Sequence, residues 1–116
     1  MSKQIQRLAD YLSHVIEAIE RIEEYTADVD ELRFMNTHLI QDAVVRNFEV
    51  IGEASRNIQV HYPEFIEQHP ELPLLSAYEM RNAVAHGYSK VDYQVVWKTI
   101  QNDLPDLYRL IKAAQK

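Results

Sequence analysis

From Ile5 onward, apolar residues recur at Leu8, Leu12, Val15, Ile16, Ile19 and Ile22, a spacing of three and four that lines one face of a helix. Lys3, Arg7, Asp10, Glu17, Glu20 and Arg21 take the opposite, solvated face, and Ser2 suits the N-cap. The acidic run Asp28 to Asp30 suits a second helix start, where carboxylates meet the positive end of the helix dipole. Apolar positions then follow at Leu32, Met35, Leu39, Ile40, Ala43, Val44, Val45, Phe48, Ile51, Ala54 and Ile58, predicting one long helix that ends near His61. That set is wider than a single stripe, so two buried faces are expected, one for the protomer core and one for a second subunit. Gly52 sits inside this helix at a cost of about 1 kcal/mol relative to alanine, which close approach of a neighbouring helix would explain.

Three prolines between Tyr62 and Pro73 stop the long helices. Pro63 can open one short helical turn through Phe65 and Ile66. A further helix is predicted from about Leu75 to His86, with Ala77, Tyr78, Met80, Ala83 and Val84 as its apolar members and Gly87 at the terminating C′ position. Asp92 reads as the N-cap of a last helix through Val95, Val96, Trp97 and Ile100. Pro105 interrupts it, but Leu104, Leu107, Tyr108, Leu110 and Ile111 resume the pattern at once, which predicts a kink or restart. The resulting expectation is an all-α, up-down bundle of four main helices plus a short one.

Composition narrows the class. A length of 116 residues fits one domain, taken as 1–116, and the balance of apolar and charged residues is ordinary for a folded protein. With no cysteine, disulfide scaffolds, thiolate zinc sites and thiol nucleophiles are excluded together, and a cytoplasmic location is expected. No apolar stretch approaches the roughly 20 residues needed to span a bilayer, and no secretory signal is visible. The net charge of −6 disfavours a broad phosphate-tracking surface, so any nucleic acid must meet a local cluster of cations.

Such a cluster is offered by Met80-Arg81-Asn82-Ala83-Val84-Ala85-His86-Gly87-Tyr88. At helical spacing Asn82 and His86 share a face, and Arg81 lies beside them. An imidazole exchanges protons near neutral pH, while a guanidinium holds two phosphate oxygens as charge builds. RNA supplies its own nucleophile in the 2′-hydroxyl. One histidine does not readily act as acid and base at once, and a two-fold homodimer would bring two copies of His86 to one cleft. On spacing alone, an Arg and a His near a helix end form a structural pair or cap more often than a catalytic unit. His14, His38, His61 and His69 lack ligand spacing and read as surface or interface residues, so no metal and no cofactor are expected.

The run Arg81 to Tyr88, followed by Val91-Asp92 and Val96-Trp97, resembles the HepT-like family of HEPN-fold ribonucleases. Upstream, Gln41-Asp42-Ala43-Val44-Val45-Arg46-Asn47-Phe48-Glu49-Val50-Ile51-Gly52-Glu53-Ala54 is similar to its second signature, and Asp103-Leu104-Pro105-Asp106-Leu107 to its closing motif. The chain departs from the pattern at Pro73-Leu74-Leu75, where family members often carry a tryptophan. The resemblance implies a metal-independent toxin endoribonuclease whose antitoxin is a minimal nucleotidyltransferase. It makes Arg81 and His86 catalytic, gives Asn82 a role in positioning substrate or His86, and makes Tyr88 the tyrosine that receives AMP. Arg46 and Glu53 would then support Arg81 across the bundle, although by themselves they read as a solvated charge pattern. Two other readings stand beside it: a non-catalytic, nucleotide- or partner-binding subunit of a nucleotidyltransferase complex, which suits the acidic surface, and a structural dimerisation bundle.

Overall fold

The computed structural model describes residues 3–74, 77 and 91–115. Six helices are defined among them: α1 (Lys3–Thr26), α2 (Glu31–Met35), α3 (His38–His61), α4 (Pro63–Gln68), α5 (Tyr93–Asn102) and α6 (Leu104–Ala114), with no strand among the described residues. The two long helices form the frame. Leu12, Val15, Ile19 and Ile22 on α1 and Val44, Phe48, Ile51, Ser55 and Ile58 on α3 are buried at alternating spacings of three and four, the pattern of helices packed along a shared seam. Tyr11 meets Tyr62 edge to face at 6.3 Å, which puts the start of α1 beside the end of α3 and makes the pair antiparallel.

The chain reverses after α1 through Asp28, whose φ of 60° lies in the left-handed region that Asp tolerates better than most residues. Asp30 caps α2, accepting from the Arg33 amide at 2.8 Å, so the acidic run opens a helix as expected. The expected single helix to His61, however, is broken. Asn36 Nδ2 donates to the Leu32 carbonyl at 2.8 Å and Thr37 Oγ1 to the Arg33 carbonyl at 2.7 Å, closing α2 with side chains that compete for its backbone groups. The buried Gln41 side chain then donates to the Phe34 carbonyl at 2.9 Å, a stronger bond than the 3.5 Å contact from the Thr37 amide at the break. The interruption turns Phe34 fully into the core, against Trp97 at 5.3 Å and Tyr93 at 6.3 Å. Burying such a ring stabilises by about 1.5–3 kcal/mol, which offsets a lost turn of helix.

Asp92 caps α5, its Oδ1 accepting from the amides of Gln94 at 3.1 Å and Val95 at 3.3 Å. Pro105 sits in the first turn of α6, where its missing N–H costs nothing, so the chain restarts there as a new helix. Helix α6 runs antiparallel to α1: Tyr108 donates to Glu20 at 2.7 Å and Gln115 to Ser13 at 3.4 Å. Gly52 is buried on α3. Ser2 lies outside the described residues, as does most of the helix expected between Leu75 and His86, although Leu74 and Ala77 are helical and buried. No helix among the described residues is long and apolar enough to cross a membrane.

The hydrogen bond to Glu20 raises the Tyr108 pKa above its ordinary value near 10, with partial desolvation and the charges of Glu20 and Glu23 adding to it. A raised pKa means stability that is present below the unfolded value and lost as pH climbs through the folded one. Tyr108→Phe should therefore lower the melting temperature at pH 8, and its deficit relative to the unsubstituted chain should shrink above pH 10, as followed by thermal unfolding.

Candidate functional site

The motif segment is anchored at both ends by local chemistry. On the upstream side α4 ends at His69, whose backbone N–H donates to the Phe65 carbonyl at 3.0 Å and whose ring lies 4.4 Å from that of Phe65. His69 Nδ1 approaches Glu71 Oε2 at 3.3 Å. The Glu71 carboxyl is held below its ordinary value chiefly by its own backbone N–H, against desolvation that raises it, with His69 adding to the lowering. The amide of Leu72 donates back to His69 at 3.0 Å, and the Ala77 amide to the Pro73 carbonyl at 2.8 Å, the first helical bond of the expected element. Leu72, Leu74 and Ala77 are buried. On the downstream side Val91 packs against the core and Asp92 holds the start of α5.

Arg81, Asn82, His86, Gly87 and Tyr88 lie outside the described residues. Arg46 and Glu53 are described, and both are exposed on α3. Arg46 approaches Glu49 at 3.7 Å, one turn along its own helix, in an open setting where such a pair contributes a few tenths of a kcal/mol. Spaced seven apart, Arg46 and Glu53 stand on one outward flank of α3, separated by two turns.

The histidines set aside on sequence grounds are surface or half-buried, and two of them line grooves. His14, Glu17, Ala18 and Arg21 of α1 face Asn47 and Val50 of α3 across a groove of about 300 Å3. Arg21 is already paired with Glu17 at 2.8 Å, and the buried Asn47 amide donates to the Ala43 carbonyl at 2.9 Å. A second groove of about 350 Å3, lined by Leu8, His61, Tyr62, Pro63, Glu64, Phe65 and Gln68, opens where α3 gives way to α4. The only sequence sign of the first groove is that His14, Ala18 and Arg21 recur at helical spacing on the flank of α1. No signal in α3 alone pairs Asn47 with them.

Comparison with known proteins adds to this geometry. A family model described as Ribonuclease HepT-like matches residues 15–114. The chain is 43% identical over 98 residues to a probable ribonuclease HepT of Thermococcus cleftensis, covering 84% of this chain and 86% of that protein. Its fold is similar to that of the tri-AMPylated Shewanella oneidensis HEPN toxin solved in complex with MNT antitoxin, with a TM-score of 0.67, 20% identity and coverage of 97% and 96% of the two chains. The all-α bundle is thus a HEPN-type architecture.

The downstream anchor of the motif segment is open to direct measurement. Asp92→Ala removes the acceptor of two helix-terminal amides and should cost about 1 kcal/mol in urea unfolding, whereas Asp92→Ser should recover most of it.

Proposed function

Because the chain belongs to the ribonuclease HepT-like family, we propose that it is a toxin endoribonuclease acting in the cytoplasm, cutting RNA without a metal at a site completed by two copies of the chain. The observation that carries this reading is the family match across residues 15–114, which encloses Arg81, Asn82 and His86 in their motif order. In the proposed reaction the RNA 2′-oxygen bonds to the adjacent phosphorus and the bond to the 5′-oxygen breaks, leaving a 2′,3′-cyclic phosphate and a free 5′-hydroxyl. His86 gives its proton to the departing 5′-oxygen, and the partner subunit's His86 takes the proton of the attacking hydroxyl. Arg81 holds the non-bridging oxygens as negative charge accumulates, and Asn82 orients the substrate or the imidazole.

A site of this kind needs few cations, and a two-fold axis doubles those present, which reconciles RNA cleavage with a chain of net charge −6. The proposed antitoxin is a minimal nucleotidyltransferase that transfers AMP to Tyr88. Each AMP brings a phosphate two residues from His86, where its negative charge and bulk repel the RNA backbone. The tri-AMPylated state of the Shewanella oneidensis toxin, in complex with MNT antitoxin, supports this regulation.

Two measurements test the reading. Purified, unmodified protein should cleave RNA in chelator and yield cyclic phosphate ends, with Arg81→Ala and His86→Ala each slower by about a hundredfold or more. Cleavage that requires added metal, or that survives His86→Ala at the original rate, would overturn the mechanism. Intact mass after incubation with a nucleotidyltransferase antitoxin and ATP should rise in AMP increments. Tyr88→Phe should abolish that increase, and an unchanged increase would place the modification elsewhere.

A further inference from the structure

The corner where α3 gives way to α4 gathers side chains that lie far apart in sequence. Leu8 of α1, with Tyr62 and Phe65 of the junction, gives the groove of about 350 Å3 its apolar walls, and the exposed side chains of His61, Glu64 and Gln68 supply its polar groups. That volume lies in the low part of the range of about 300–1,000 Å3 typical of small-molecule sites. Two of the rings are fixed before any ligand arrives: Tyr62 meets Tyr11 edge to face at 6.3 Å, Phe65 lies 4.4 Å from the His69 ring, and both pack against the core. Glu64 and Gln68 are one turn apart on α4 and so share a face. Neither is bonded to another described residue.

Such a set fits an unstacked base. Proteins take up single-stranded RNA by stacking its bases on aromatic side chains and bonding their Watson–Crick edges. A carboxylate is acceptor-only and offers two oxygens side by side, and guanine is the RNA base whose Watson–Crick edge presents two adjacent donors, N1–H and N2–H, to match them. Adenine and cytosine present one amino donor beside a ring acceptor, and uracil one N–H between two carbonyls, so each of these sets a carboxylate oxygen against another acceptor. We infer that this groove binds one guanine base of single-stranded RNA, with the Glu64 carboxylate accepting from N1–H and N2–H, the Gln68 amide donating to O6, and the base resting against Tyr62 and Phe65. The negative charge of Glu64 disfavours a phosphate at the same place, so a base rather than the backbone occupies the groove.

This site rests on the ribonuclease reading and adds a base preference to it, on the helix that leads into the segment carrying Arg81 and His86. A fluorescent 2′-O-methyl nonamer has no 2′-hydroxyl to attack and stays intact, so its anisotropy reads binding apart from cleavage. At fixed salt, a uridine nonamer with one central guanine should bind about tenfold tighter than the same chain with adenine there. Glu64→Gln turns one acceptor into a donor and should bring that ratio to within about twofold of unity, and Gln68→Ala should lower it about threefold. Glu67→Gln, on the same helix but outside the groove, should leave the ratio unchanged. All three positions are exposed, so the melting temperature should stay within about 3 °C of the unsubstituted chain. Equal binding of the two nonamers, a guanine preference that survives Glu64→Gln, or GMP bound as tightly as the guanine nonamer would overturn the site. If RNA is cut and guanine is not preferred, the groove assignment alone is wrong. If a Glu64-dependent guanine preference is found and no RNA is cut, the groove stands and the ribonuclease reading falls.

Discussion

The seam between α1 and α3 is the constraint on which the other elements depend. Two helices of 24 residues each bury a matched series of Leu, Val, Ile and Phe side chains, and neither would be stable alone in water without that face covered. Helix α6 lies against α1 through Leu104, Leu107 and Ile111 with polar ties at its edge, and α2 is fastened to α3 by Gln41. Helix α5 reaches the frame by way of Phe34, Tyr93 and Trp97. Removing the central pair leaves these short helices no surface large enough to order them.

A frame of this kind fixes where the segment between α4 and α5 starts and stops. The turn after α4 is closed by backbone bonds through His69, Leu72 and Pro73, and the return is held by the Asp92 cap. Both anchors are local and use few residues. Fixed ends suit the proposed ribonuclease site, since an Arg and a His acting on one phosphate must be placed to within about 0.5 Å.

The proposed function links charge to symmetry. An acidic chain repels RNA over most of its surface, so affinity must be concentrated where cations gather. In the proposed dimer, pairing two copies would gather them without altering the net charge per chain. The exposed i,i+3 pair Arg46–Glu49 is open to screening by salt and adds little to stability.

Local periodicity determined much of this protein from sequence alone. The three-and-four spacing of α1, the acidic helix start at Asp28 to Asp30, the Asp92 cap, the short helix at Pro63 and the restart at Pro105 are all properties of neighbouring residues, so their signals are complete within a few positions. The motif from Arg81 to Tyr88 can be read in the sequence by its resemblance to a family, and it lies outside the described residues. The break at Asn36 and Thr37 was settled only by tertiary structure: the apolar pattern runs straight through it, and the interruption is stable because Phe34 thereby reaches Trp97 and Gln41 reaches a carbonyl seven residues back. Which of α3's apolar residues face the protomer and which face outward was likewise undecided by periodicity, since Leu39 and Val44 are equally hydrophobic and differ only in what packs against them. Spacing along one helix names candidates for a face, and only the neighbouring helices choose among them.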